Sequence, residues 1–215
     1  MCYNATPIHT QEHAGFKIEI WYDEDASNPA TDQDIAGEYT VFKSRDFRES
    51  SSVKNPTSRA EFVERCESGE MDNYVVFIFD LDTRGGLSAV RVLPERIRTI
   101  DEDSTFDGVW FISFDEIVKE WGLTPTVLPE GTFTPVEMAV RYGKAFLQEM
   151  DDYYNGNVYG FKVLDSDGEE IENGSCWGFI GDYDGYILEE AKSIAADEAK
   201  SRADADNFAE KFMCC

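Results

Sequence analysis

Apolar and polar residues alternate in a stretch near the beginning of this chain and again near its end. In residues 16–22 (FKIEIWY) every second residue is large and apolar, which is the period of a β-strand with one buried face. Residues 157–164 and 171–180 are rich in β-favouring residues, and the turn-forming sequence DSDG at 165–168 separates them. These two segments predict a β-hairpin. A long helix is expected to follow, beginning near Tyr186, and to lie across the hairpin.

Two shorter runs, 74–80 (YVVFIFD) and 109–112 (VWFI), are almost entirely apolar. Runs of this length predict central strands that are buried on both faces. Capping signals, in which Ser or Thr is followed three residues later by Glu, predict helices at 59–67, 114–121 and 135–154. The order of elements predicts an α+β fold with a mainly antiparallel sheet, flanking helices, and a C-terminal β-hairpin followed by a long acidic helix.

The connection at 124–133 contains proline and glycine and is the best candidate for a linker. It divides the chain into a loose N-terminal lead-in at 1–14, an α+β domain at 15–123, and a helix-hairpin-helix unit at 134–215 that packs on the same core. A single domain over 15–213 is the other organisation that the pattern allows.

The composition is that of a folded but strongly acidic chain. Of 215 residues, 42% are hydrophobic, which is enough for a core, and the formal net charge is −25. Such a charge repels nucleic acid and anionic membranes and attracts basic proteins and cations. We therefore expect a basic partner protein and no direct binding to nucleic acid or membrane. Adaptation to high salt is another origin of such acidity.

The cysteines and the apolar runs bear on the compartment. The five cysteines are odd in number and have no C-x-x-C spacing, which favours reduced thiols. No apolar run approaches the ~20 residues that a membrane-spanning helix needs, and the chain does not open with a basic segment and an apolar stretch. The sequence therefore predicts a soluble protein in the cytoplasm of the host cell. Cys176, inside a predicted strand, is expected to be a small core residue.

Few residues in the sequence belong to the types and motifs that usually carry out catalysis. The two histidines, His9 and His13, fall in the predicted lead-in, without a cysteine or carboxylate placed to complete a zinc site. Phosphate-loop, dinucleotide and nucleophile-elbow motifs are absent, and the glycine at 165–168 comes too early for a calcium loop. Asp80 and Asp82 follow a buried strand, as in metal-dependent phosphotransferases, but a plain strand end is the simpler interpretation. We expect no catalytic residue, metal or cofactor, with a carboxylate-based metal-dependent hydrolase or nuclease as the alternative.

Acidic side chains of the last helix and the hairpin form the candidate partner-binding face. At 100° per residue, four helix carboxylates fall within an arc of about 100°, opposite an apolar stripe that includes Ala205. They span about 22 Å, over which duplex DNA carries about 13 charges, so the helix alone is too dilute to imitate DNA. A mimic would also need the segment before the helix and the hairpin carboxylates including Glu172, or the acidic loop at 23–34. A solvated acidic face without function is the competing interpretation. The candidate residues are Glu189, Glu190, Asp197 and Asp204 on the helix, Asp165, Asp167, Glu169 and Glu170 in the turn, and Asp182 and Asp184 before the helix.

Three stretches carry a further signal: residues 16–23 with 32–40 (DQDIAGEYT), residues 74–86, and residues 153–196, which contain VYGF and SCWGFIG. Together they make the chain similar to an uncharacterised family of small acidic proteins encoded by bacteriophages and other mobile elements. The stretches cover about half of the chain, and SCWGFIG is the most specific. Residues 35–36 are Ile-Ala where the family usually has Asn-Leu. The family has no established activity, so the resemblance implies no catalytic residues.

The resemblance implies a biological context. Small acidic phage proteins without catalytic signatures are often inhibitors of host defence. We therefore expect a phage-encoded protein that binds and inhibits a restriction or CRISPR nuclease, as an anti-restriction or anti-CRISPR protein, with DNA mimicry as one mode. Besides the hydrolase, the alternative is a phage accessory or scaffold protein whose acidity gives only solubility.

Overall fold

A computed structural model describes residues 6–32, 35–42, 56, 58–82, 86–122 and 133–213, with only the backbone at Asp32, 206, 207 and 209–213. Its connections between helices and strands include two short 3-10 segments, at Glu70–Asn73 and Pro94–Thr99, and a π-helical turn at Tyr183–Ile187. Antiparallel sheets with helices confirm the α+β class. In chain order the elements are β1 (His9–His13), β2 (Phe16–Tyr22), α1 (Pro29–Asp32), β3 (Glu38–Val41), α2 (Arg59–Glu67), β4 (Tyr74–Leu81), β5 (Leu87–Val92), β6 (Gly108–Ser113), α3 (Phe114–Trp121), α4 (Pro135–Tyr154), β7 (Val158–Leu164), β8 (Glu170–Ile180) and α5 (Leu188–Met213).

The elements form two compact units, each with its own antiparallel sheet. Met1–Ala26 and Gly156–Cys215 make up the terminal unit, and Ser27–Asn155 makes up the central unit. This division differs from the predicted one at 124–133, of which the structure describes only Phe133. The cause is a long-range strand pairing, β2 with β7, which joins the N-terminal strands to the C-terminal hairpin. Helix α4 consequently belongs to the central unit and not with that hairpin.

The terminal unit is a four-stranded sheet in the order β1-β2-β7-β8 with α5 packed on one face. The alternation in β2 places Ile18 and Ile20 on that face, where both are fully buried. The helix begins at Leu188, two residues later than expected, after a turn whose Gly185 has non-helical dihedral angles. The core of this unit consists of Phe16, Ile18, Ile20, Tyr159, Phe161, Val163, Ile171, Ile187, Leu188, Ala191 and Ala195.

Part of the predicted loose lead-in is an edge strand of this sheet. Residues His9–His13 pair with β2 in the register His9 to Ile20 and His13 to Phe16. The sequence HTQEH has no apolar alternation, because its side chains are only half-buried or exposed. Backbone hydrogen bonds to β2 therefore define this strand, and they leave no hydrophobic pattern in the sequence.

The sheet of the central unit has the strand order β3-β6-β4-β5, and a hydrophobic core lies on each of its two faces. One core packs against α3 and α4 and contains Phe77, Phe79 and Trp110, while the other packs against α2 and contains Val76 and Phe111. Strands β4 and β6 contribute to both cores. The prediction that these strands are buried on both faces is therefore confirmed.

Three helices of the central unit have the bounds that their capping signals predict. Ser113 and Thr134 each accept a hydrogen bond from the backbone N–H three residues later, and the glutamates at those positions, Glu116 and Glu137, bond back to the cap. Thr134 also holds the pKa of Glu137 below its usual value through backbone and side-chain hydrogen bonds.

Within the described residues, no helix is both long enough and apolar enough to cross a bilayer.

Candidate binding surfaces

The acidic residues of α5 lie on the side of the helix that faces away from the sheet. Glu189, Asp197 and Asp204 are exposed and Glu190 is half-buried. Leu188 and the alanines at 191 and 195 are buried on the other side. The helical spacing therefore separates charge from core as predicted for the first three turns.

The apolar side of α5 ends earlier than predicted. Ala205 was expected among the sheet-facing residues, but it is exposed, as is every residue from 201 to 205. Among the side chains that the structure describes in α5, the buried ones are those of Leu188, Ala191 and Ala195, whereas the helix itself continues to Met213. At the end of the covered part, the Arg202 guanidinium lies 4.9 Å from the centroid of the Phe16 ring.

The turn of the β7–β8 hairpin is organised by Asp165. Its Oδ1 accepts the backbone N–H groups of Asp167 (3.0 Å) and Glu169 (3.1 Å). Gly168 supplies the positive φ, +82°, that completes the turn. Glu170 accepts a hydrogen bond from the Ser175 hydroxyl at 2.6 Å. Asp165 is thus committed to local structure and half-buried, while Asp167, Glu169 and Glu170 are exposed.

Asp182 and Asp184 form a pair of interacting carboxyl groups at the entrance to α5. Asp182 is the N-cap of the π-helical turn, and its Oδ1 accepts the backbone N–H of Asp184 at 3.4 Å. A hydrogen bond with the Asp182 side chain, and then repulsion between the two carboxylates, raise the pKa of Asp184. His9 acts in the opposite direction as a nearby positive charge. A cation placed beside this pair would relieve the repulsion.

The ten predicted residues do not form one continuous surface. The turn and the Asp182–Asp184 pair lie at opposite ends of the hairpin, because Leu164 pairs with Glu170 and Val158 with Ile180. Six residues of strand, roughly 20 Å, separate the two groups. The gap between these two groups of carboxylates is much wider than the distance between charges in duplex DNA, which carries one charge per ~1.7 Å. The arrangement is an acidic face, with carboxylates at both ends and along α5, and not a copy of the charge spacing of DNA.

Most of these carboxylates lack a cationic neighbour. In the described part of the chain, Glu189 is the one member of the ten that forms an ion pair, with Lys192 at 2.8 Å, and this contact holds the pKa of Glu189 below its usual value. The terminal unit contains 19 Asp and Glu against 6 Lys and Arg, and the larger central unit 25 against 13. The terminal unit is therefore the more acidic of the two for its size.

Asp80 and Asp82, the carboxylates on which the hydrolase alternative is based, line a cavity of about 890 Å³ in the central unit. Asp107 and Asp151, which the sequence analysis did not single out, join Asp80 and Asp82 there. Both already accept backbone hydrogen bonds, Asp107 from Leu81 at 2.8 Å and Asp151 from Leu87 at 2.5 Å. Among the residues that the structure describes, no three His, Cys, Asp or Glu side chains are grouped so that they could hold a metal ion.

The two histidines and the two cysteines that the structure describes, Cys66 and Cys176, form no metal site. His9 and His13 are four residues apart on an extended strand, about 13 Å, which is too far to share a zinc ion. Cys66 is buried, and burial, followed by the charges of Asp72 and Glu67, raises the pKa of its thiol to about 12. The expectation that Cys176 is a core residue is wrong, because it lies exposed at an irregularity in the β7–β8 pairing.

A second groove, of about 830 Å³, lies in the terminal unit and combines aromatic with acidic residues. The sequence feature that could have indicated this groove is Trp21, a large aromatic residue on the polar side of the alternating β2 strand. Trp21 was not among the predicted binding residues. The lining residues are Thr6, Ile8, Trp21, Tyr22, Asp23, Glu24, Asp25 and Trp177.

Comparison of the chain with protein-family models, with curated proteins and with solved structures finds no match. The resemblance to acidic phage proteins therefore stays a prediction, and a function can be inferred only from the surfaces of the chain itself.

Proposed function

We propose that this chain is a phage- or mobile-element-encoded protein that acts in the host cytosol. It binds a basic, nucleic-acid-binding host defence protein, of the restriction or CRISPR nuclease type, and inhibits it without catalysing a reaction. The observation that carries this proposal is the set of ten carboxylates on the terminal unit, of which eight are exposed and nine form no ion pair within the described residues.

Rigid placement makes these charges suited to binding. Asp197 lies on α5 two residues after Ala195, which is buried against the sheet, and the turn residues are fixed by Asp165. Charges held in place lose little conformational entropy on binding, so more of the electrostatic attraction appears as affinity. Asp182 and Asp184 add a point where two carboxylates repel each other and a partner cation would relieve them.

Inhibition then follows from competition. A nuclease that binds nucleic acid presents a groove of Lys and Arg side chains, and an acidic face occupying that groove excludes the phosphate backbone. The spacing of the ten carboxylates favours general charge complementarity over imitation of the duplex. Such an interface associates rapidly at low salt and weakens as salt screens the charges, with a Debye length near 8 Å at physiological ionic strength.

A charge-reversal experiment tests the proposal. The nuclease is identified by affinity purification from the host, and its Kd for the chain is measured at 50 and 300 mM NaCl, together with its cleavage of DNA. The variant Glu189→Lys, Glu190→Lys, Asp197→Lys, Asp204→Lys should weaken binding at least tenfold and restore cleavage. Salt should weaken the native complex by a similar factor.

The matched control makes the same change in net charge in the central unit. Asp101, Glu102, Asp103 and Glu120 are exposed there, and their reversal to Lys should change the Kd by less than threefold. An affinity that does not vary with salt, or an equal loss in the two variants, would show that the acidic face of the terminal unit is not the binding surface.

A metal-dependent hydrolase is the second candidate, because four carboxylates line the central-unit cavity, although no three of the described ones are grouped so that they could hold a metal ion. The test is calorimetric titration of the chain with Mn²⁺, followed by the variant Asp80→Asn, Asp82→Asn. Micromolar binding that this variant abolishes would favour the hydrolase. Binding no tighter than that of other exposed carboxylates would remove it.

A further inference from the structure

Two tryptophan side chains, Trp21 and Trp177, line the groove of the terminal unit on the side of its sheet opposite to α5. Trp21 pairs directly with Gly160 on the neighbouring strand. A Cβ at Gly160 would lie 2.2 Å from the Trp177 ring, so that ring rests on the bare backbone beside Trp21. Trp177 is 44% exposed and Trp21 is half-buried, whereas Tyr22, which also lines the groove and is 55% exposed, packs its ring against Tyr159. Clustered exposed aromatic residues of this kind mark binding sites.

Three consecutive carboxylates, Asp23, Glu24 and Asp25, line the same groove. The turn that carries them is held in place, because the Asp23 N–H donates to the Val158 carbonyl at 2.8 Å and Asp23 Oδ1 accepts the N–H of Asp25 at 3.2 Å. None of the lining side chains is cationic. The groove therefore combines aromatic faces with negative charge that its own walls do not neutralise.

The Trp21 indole already has one cation within interaction range. The Lys162 ammonium lies 5.9 Å from the Trp21 ring centroid, outside the groove. Aromatic faces attract cations because of the negative potential over the ring, most strongly for tryptophan. The geometry at this indole is thus compatible with an ammonium or guanidinium group.

From this arrangement we infer that the groove binds an arginine or lysine side chain within an extended segment of the partner protein. Aromatic faces and carboxylates together recognise a cation, whereas they repel phosphate and other anions. A volume of about 830 Å³ falls within the range of ligand sites and accommodates a side chain with its flanking backbone. The inference deepens the proposed function, because it depends on a basic partner and adds a specific pocket to the general acidic face.

The probe is a capped Gly-Arg-Gly-Arg-Gly peptide, titrated into the full chain at 150 mM NaCl and monitored by calorimetry and tryptophan emission. The same peptide with citrulline, which keeps the shape of arginine without its charge, is the ligand control. The arginine peptide should bind saturably and at least tenfold more tightly than the citrulline peptide. Trp177→Ala, and separately Glu24→Gln with Asp25→Asn, should each weaken it at least fivefold.

Matched variants separate the groove from general acidity. Tyr186→Ala removes an aromatic residue that is 70% exposed outside the groove, and Asp101→Asn with Glu102→Gln removes two exposed charges in the central unit. Both should bind the peptide like the native chain. Far-UV circular dichroism checks that each variant is folded, and Trp177→Phe provides a conservative second variant that should retain most of the binding.

The inference is overturned if the arginine and citrulline peptides bind equally, if neither binds, or if the groove variants bind like the native chain. These outcomes are separate from the charge-reversal experiment. If the partner nuclease depends on the α5 carboxylates but not on Trp177, the proposed function stands and the groove has no part in it. If the peptide depends on Trp177 while the nuclease ignores the α5 carboxylates, the groove stands without the proposed inhibition.

Discussion

Replacement of Gly143 by alanine separates two physical effects that oppose each other. Gly143 lies in the middle of α4, where alanine is favoured over glycine by about 1 kcal/mol from helix propensity alone. However, a Cβ at this position would lie 2.5 Å from Cζ3, 2.8 Å from Cε3 and 2.9 Å from Cη2 of the Trp110 ring. The variant therefore gains helix propensity and collides with the core.

The collision should prevail because the indole cannot move aside. Trp110 is fully buried, its Nε1–H donates to the Ala36 carbonyl at 3.2 Å, and its ring contacts Phe77 and Tyr142. Overpacking of such a core costs about 1–3 kcal/mol. After the propensity gain of about 1 kcal/mol is subtracted, we expect Gly143→Ala to lower the free energy of unfolding by up to about 2 kcal/mol.

Urea denaturation, monitored by tryptophan emission and circular dichroism, measures this loss. Ala145→Gly is the matched control, since position 145 is exposed in the same helix and reports propensity alone, about 0.5–1 kcal/mol. A Gly143→Ala chain that is more stable than the parent by the full propensity gain of about 1 kcal/mol would refute the close packing of α4 on Trp110.

Two further predictions concern titratable groups. Asp182→Asn should lower the pKa of Asp184 towards its ordinary value, because asparagine still accepts the capping hydrogen bond but carries no charge; a carboxyl NMR titration with no change would contradict this. A carboxyl group whose pKa is raised in the folded state stabilises the fold at low pH, and this stabilisation is lost as the pH rises through the raised pKa. The Asp182→Asn variant should therefore lose less stability than the parent over that pH range. Iodoacetamide at pH 8 should modify the exposed Cys176 and spare the buried Cys66, whose thiol has a pKa of about 12. Peptide mass mapping distinguishes the two, and modification of Cys66 in the folded chain would show that its site opens.

Most of the secondary structure could be predicted because its signals are local. Helices α2, α3 and α4 have the bounds that Ser58, Ser113 and Thr134 set as caps, and β2 has the bounds of its alternation. Strand β1 could not be predicted, since an edge strand held by backbone hydrogen bonds leaves no apolar pattern. The point at which the buried side of α5 ends depends on which residues of the sheet lie beneath the helix, and the helical period does not contain that information.

The candidate sites show the same limit. The carboxylates of α5 were recognisable from helical spacing, and the structure confirms that Asp197 and Asp204 are exposed. Their relation to the hairpin turn was not recognisable, because it depends on the register of β7 with β8. The groove at Trp21 and Trp177 combines residues more than 150 positions apart in the chain, which only strand pairing brings together.

By itself, the sequence determined the α+β class, the caps and the acidity of this protein, because each depends on residue types or on spacings within one element. The tertiary structure decided that the first strands join the last hairpin, that Gly143 is a contact point for Trp110, and that two indoles share a groove with three carboxylates. The physical reason is that pairing between distant strands is set by the fit of whole faces. Such a fit leaves only a faint trace in any short segment of the chain.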